Sequence, residues 1–209
     1  DINKMSKEQA NNLYYNINNA IISVKKRGIM STEEYAQYAS KILPNAIMAG
    51  LNFADFNAMM TVDSRVTNNA SKTATGLNGF ISNISKQSQK QLNGANFYNV
   101  DVSQRALKEK GPLKYFTDIK KAIEDAGDIV DTTSLSRLFT NVNSASFATR
   151  MIQNLEDLGE ETDKYKSNLN ELEGMMESYN KNPLTKWQEG IQNLKNAFTN
   201  LGETIIPTL

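Results

Sequence analysis

Apolar residues recur at steps of three and four along most of this chain, and turn residues stand where that rhythm stops. Ser6 with Gln9 forms a capping-box pattern, and Ala10, Leu13, Tyr14, Ile17, Ala20, Ile21 and Val24 follow at helical spacing until Lys25, Lys26, Arg27 and Gly28 close the run. Ser31 and Glu34 repeat the device ahead of Tyr35, Tyr38, Ala39 and Ile42, with Pro44 expected to end or kink that helix. Tyr14, Tyr15, Tyr35 and Tyr38 read as half-buried helix packing with the hydroxyl toward water.

The stretch from Gly50 to Ser85 is more unusual. Asn52 suits a helix N-cap, Asp55 suits the positive first turn, and Phe53, Phe56, Met59 and Met60 supply an apolar side. After a polar turn, Ala70, Ala74, Leu77, Ile81 and Ile84 alternate steps of four and three, which keeps them on one narrow seam. Ser71, Thr73, Thr75, Gly76 and Gly79 make this helix small-sided, and each glycine costs about 1 kcal/mol against Ala in a helix interior. Something beyond propensity must compensate. Either a neighbouring helix packs closely here, or the seam contacts a partner or another copy of the chain.

From Ser85 to Asn96 the text turns polar, and the helix is expected to continue for a turn or two before Asn93-Gly94 breaks it. Tyr98 to Val102 alternates apolar and polar residues, so 97–102 is the one place with the pattern of a short strand or an extended loop. Gly111-Pro112 restarts a helix carrying Leu113, Phe116, Ile119 and Ile123 up to Gly127. A short helix near Ser134–Asn141 offers Leu135, Leu138 and Phe139, and another from about Ser144–Ser146 carries Phe147, Met151, Ile152 and Leu155.

The last third has the most regular rhythm. Leu158, Thr162, Tyr165, Leu169, Leu172, Met176 and Tyr179 step by four and three; after Asn180-Lys181-Asn182-Pro183 the seam resumes as Leu184, Trp187, Ile191, Leu194, Phe198, Leu201 and Ile205. Two matched seams joined by a short polar loop predict an antiparallel helical hairpin with arms ~35 Å long. A hairpin with so narrow a stripe packs onto the preceding helices or joins other copies. The fold class is therefore all-α: a helical domain over 1–145 and a long hairpin over 146–209. The candidate helix-packing or self-association positions are Ala70, Ala74, Leu77, Ile81, Leu169, Leu172, Met176, Leu184, Trp187, Ile191, Leu194, Phe198 and Leu201.

Composition narrows the chemistry. The 209 residues contain neither Cys nor His, which removes thiol nucleophiles, disulfides, histidine metal sites and imidazole bases. Lys+Arg and Asp+Glu number 23 each, so net charge gives no argument for nucleic acid or an anionic membrane. Mean hydropathy is −0.51, and no apolar run approaches the ~20 residues of a membrane span. No phosphate loop, nucleophile elbow or metal-loop pattern occurs, and the Glu-rich helical stretches read as solvated faces. No catalytic, cofactor or metal residue is assigned. The chain opens without Met and stops after a helical pattern, so it reads as a piece of something longer.

Three segments carry a family resemblance. The first is Gly50-Leu51-Asn52-Phe53-Ala54-Asp55-Phe56-Asn57-Ala58 with the small-residue helix through Ala70, Thr73, Ala74 and Leu77. The second is Gly111-Pro112-Leu113 leading into Phe116-Thr117-Asp118-Ile119, with Leu138-Phe139 beyond. The third is Trp187 to Leu201 with Gly202-Glu203-Thr204-Ile205-Ile206-Pro207-Thr208-Leu209. In this order they resemble the conserved core region of tailed-phage tail tape measure proteins. The chain departs from that family where Ser71-Lys72-Thr73-Ala74-Thr75-Gly76 replaces the frequent Ala-Gly-Thr-Ala-Leu-Arg, and where Thr140 rather than Gly follows Phe139. The resemblance covers about Pro44 to Leu209. It implies a mostly helical virion protein that is made in the host cytoplasm, lies in the tail tube lumen and sets tail length. It also implies self-association into a homo-oligomer and contact with tail tube proteins, tail-tip proteins and assembly chaperones; the balanced charge and the absence of His and of any catalytic spacing argue against specific nucleic-acid binding and enzymatic activity. The alternative is a helical secreted effector or cell-wall-active module. The seam assignment predicts that Ile191→Asp lowers the melting temperature or the oligomeric mass of an α-helical protein; circular dichroism and light scattering that leave both unchanged would refute it.

Overall fold

The computed structural model describes residues 29–178, with the side chains of 32, 33, 36 and 167–178 outside the description. The predicted first helix up to Gly28, the loop at 180–183 and the second hairpin arm from Leu184 to Ile205 lie outside the described residues. Eight helices follow in order: α1 (Thr32–Met48), α2 (Phe53–Thr67), α3 (Ala70–Ser85), α4 (Gln89–Tyr98), α5 (Gln104–Asp125), α6 (Thr132–Leu138), α7 (Val142–Gln153) and α8 (Leu155–Ser178). The fold is all-α, and no strand occurs among the described residues.

Side-chain caps start the helices. Ser31 Oγ accepts from the Glu34 N–H at 3.1 Å while Glu34 Oε2 accepts from the Ser31 N–H at 2.9 Å, the reciprocal pattern expected from the sequence. Asn52, Asn69, Ser88, Ser103, Asp131 and Asn141 cap α2 to α7 in the same general way. Each cap satisfies a backbone donor that the first helical turn leaves without a carbonyl.

Several boundaries differ from the sequence expectation, each for a physical reason. Pro44 does not end α1, because Leu43 and Ala46 on either side of it are buried and hold the last turn against the core. The helix through Ile84 stops at Ser85 instead of running on, and Ser88 starts a new one. Gly94 lies inside α4 and does not break it. Of the two readings of 97–102, a short strand or an extended loop, the strand is absent: Phe97 and Tyr98 form the last turn of α4, and Asn99 closes it in the left-handed conformation at φ 51°. In the following loop, the Tyr115 hydroxyl donates to the Val102 carbonyl at 2.9 Å, a role a neighbouring strand would otherwise fill. Gly111, at φ 71°, breaks α5 into two helical pieces with Pro112 opening the second, as the Gly-Pro signal implies.

One apolar core extends from Met30 to Tyr165. At its centre, Phe80 of α3 meets Phe116 and Tyr115 of α5, Phe139 after α6 and Phe147 of α7, with ring centroids 5.4–6.1 Å apart. Around it α3 lies chiefly against α7, and α2 chiefly against α8. Helix α2 is buried on all sides from Phe53 to Ser64.

The glycines of α3 find their compensation in α7. A Cβ on Gly76 would stand 3.1–3.3 Å from Arg150 and Phe147, and one on Gly79 would meet Ser144 at 3.4 Å. Gly94 is more constrained still: a Cβ there would lie 2.1 Å from the Arg137 carbonyl oxygen, where α4 crosses α6. In an open helix Gly→Ala gains about 1 kcal/mol. Here Gly94→Ala is expected to destabilise the protein instead, measured as a lower denaturation midpoint in urea; an unchanged or raised midpoint would contradict the close α4–α6 contact.

Candidate functional site

Ala70, Ala74, Leu77 and Ile81 are all buried within the chain, on the face of α3 that meets its neighbours. That face is broader than the narrow seam read from the sequence, since Thr73, Gly76 and Phe80 share it. Phe80, three residues after Leu77, was the residue sequence reasoning missed, although its helical spacing was the available signal. Leu169, Leu172 and Met176 lie on the helical backbone of α8, beyond the residues whose side chains are described. Leu184, Trp187, Ile191, Leu194, Phe198 and Leu201 lie outside the described residues. Upstream on the α8 seam, Leu158, Thr162 and Tyr165 are buried.

The structure places a second feature beside that seam, a line of buried polar groups on α2. Asn57 Oδ1 accepts from the Tyr35 hydroxyl of α1 at 2.6 Å. One turn further on, Thr61 Oγ1 shares a 2.8 Å hydrogen bond with the Tyr165 hydroxyl of α8. Arg65 Nη2 then donates to Glu161 Oε1 of α8 at 2.8 Å, and Lys164 approaches the same carboxylate at 3.5 Å. On another side, Arg150 of α7 makes a two-pronged pair with Asp63, Nε to Oδ1 at 2.7 Å and Nη2 to Oδ2 at 3.2 Å. Thr67 and Thr73 hydroxyls meet at 2.9 Å across the α2–α3 turn.

These contacts tie α1, α7 and α8 to one central helix, each at a single register. Polar groups at such depth cost free energy unless paired, so a slip of α8 along α2 would break the Thr61–Tyr165 and Arg65–Glu161 contacts together. Burial raises the Asp63 carboxyl above its ordinary range, against the lowering pull of Arg150. Burial likewise pushes the Tyr35 hydroxyl upward, so it stays protonated and donates to Asn57. Elsewhere in the core, Tyr98 is raised to about 12 by burial and by the carboxylate of Asp128, to which its hydroxyl donates at 2.7 Å. Buried Asp63 and half-buried Arg65 of α2 thus each pair with an opposite charge on a neighbouring helix, an arrangement that positions helices.

No helix among the described residues is long and apolar enough to cross a membrane. Residues 4–140 match the model of the phage-related minor tail protein family. The matched region spans more than half of the chain and ends at the turn between α6 and α7, and the chain belongs to this family. It is a phage tail protein. Comparisons with curated proteins and with solved structures gave no match.

Asp63 and Arg150 generate a pH-dependent expectation. A carboxyl whose pKa is raised on folding stabilises the fold below its unfolded value and loses that contribution as pH rises through the folded value. Removing Arg150 leaves Asp63 buried without its partner and raises its pKa further. Arg150→Ala is therefore expected to cost about 3–5 kcal/mol near pH 7, and the deficit against the unsubstituted protein should shrink as pH falls toward 4. Urea titrations at several pH values check this; a deficit that stays constant with pH would refute the buried-pair assignment.

Proposed function

We propose that this chain is part of a tail tape measure protein, the component whose length governs how far the tail tube polymerises. Membership of the phage-related minor tail protein family carries the reading. The all-α fold and the ordered resemblance of three segments to tape measure proteins support it. A ruler needs a defined rise per residue, and helices supply ~1.5 Å each. The heptad-like seam of Leu169, Leu172 and Met176, continued by Leu184, Trp187, Ile191, Leu194, Phe198 and Leu201, is the proposed self-association surface. In this reading residues 146–209 form a hairpin that packs on the helical part over 1–145 or on other copies. The protein lies in the tube lumen as a homo-oligomer, with tail tube proteins, tail-tip proteins and assembly chaperones as partners.

The test is the length of tails on virions whose tape measure gene carries matched helical inserts of about 42 residues in both hairpin arms, one at the end of α8 and one before Leu184, in heptad phase. Tails longer by ~63 Å are expected from the helical rise. Virions with tails of unchanged length in electron micrographs would overturn the ruler role.

A further inference from the structure

The same central helix that registers α1 and α8 brings the two ends of the described core together. Tyr35 lies near the start of the core and Tyr165 near its end. Tyr35 hydrogen-bonds Asn57, and Tyr165 hydrogen-bonds Thr61. Asn57 and Thr61 are four residues apart on one helix, a spacing that puts their Cβ atoms about 6 Å apart. The two tyrosines are close enough to influence each other electrostatically. Between them the chain makes a closed excursion through six further helices and returns to its starting point.

Size alone makes the contrast large. A compact chain of roughly 140 residues has a radius of gyration of about 14 Å. As one continuous helix it would be ~200 Å long. Helix α8 pairs Tyr165 with Thr61 and Glu161 with Arg65, so it runs antiparallel to α2. The helix then runs on to Ser178.

We infer that residues 35–165 form a length-silent head on the ruler: a folded body clasped at its own entry and exit, whose residues do not add to the length the ruler meters. This rests on the tape measure reading and assigns the metering to helical chain outside the clasp. Residues added inside the clasp enlarge the head but leave Tyr35 and Tyr165 side by side, whereas residues added beyond α8 lengthen the rod.

The experiment compares virions carrying the same ~42-residue helical insert at different places. One head site follows Gly127, which is exposed with open space around it; a second lies between Lys86 and Gln87, in the break between α3 and α4. The rod site is the hairpin, with one insert at the end of α8 and a second before Leu184 so that its two arms stay matched. Head insertions should leave mean tail length unchanged while the rod insertion adds ~63 Å. A comparable lengthening from a head insertion overturns the length-silent head and leaves the ruler reading intact. If neither arm lengthens the tail, the ruler reading fails and this inference with it. Circular dichroism of each purified full-length variant identifies an insertion that unfolds the protein, in which case the other head site decides. Tails of scattered length from a folded head variant also overturn the proposal.

Discussion

Helix α2 is enclosed on every side yet carries Asn57, Thr61, Asp63 and Ser64 in its buried stretch, and the rest of the structure is arranged to satisfy that constraint. An unpaired polar group at such depth costs about 1–3 kcal/mol. The neighbours must therefore arrive with donors and acceptors at set heights. Tyr35, Arg150 and Tyr165 do so from three different helices. Apolar burial around Phe80 draws the helices together without direction, since a ring cluster tolerates small shifts. The polar line removes that freedom. The Asn57 side-chain nitrogen is buried without a hydrogen-bond partner among the described residues, so the matching is incomplete even here.

The division between what could and could not be read from the chain follows from the range of each interaction. Caps were legible because a cap is a local bond between residues two or three apart, and Ser31 with Glu34 or Asn52 with Asp55 announces itself in any context. The break at Gly111-Pro112 was legible for the same reason. Gly94, and Pro44 read as a helix end, misled because local preference was overridden by a crossing helix and by burial, neither of which has a local signature. The 97–102 alternation misled because a helix end followed by a loop places Tyr98 inward and Phe97 outward just as a strand would.

Candidate site residues divide in the same way. Periodicity found the apolar positions of α3, and Ala70, Ala74, Leu77 and Ile81 are all interior. It could not find Asn57 with Tyr35, or Asp63 with Arg150, since those partners are 22 and 87 positions apart. Polar residues on a helix look like a solvated face until something covers them. The family match gives the tail context, while the polar line shows that this portion of the protein is a closed body as well as a set of helices.

The capped helices and the α2–α8 contact also imply an order of events. Helices with their own start signals re-form in about a microsecond, whereas Thr61 and Tyr165 are separated by 104 residues of chain. Closing so long a loop is entropically costly and pays back only when the intervening helices have already docked. The contact that seals the body is thus expected among the last to form. On a chain emerging from the ribosome, every residue of α1 to α7 is synthesised before the Tyr165 that locks them.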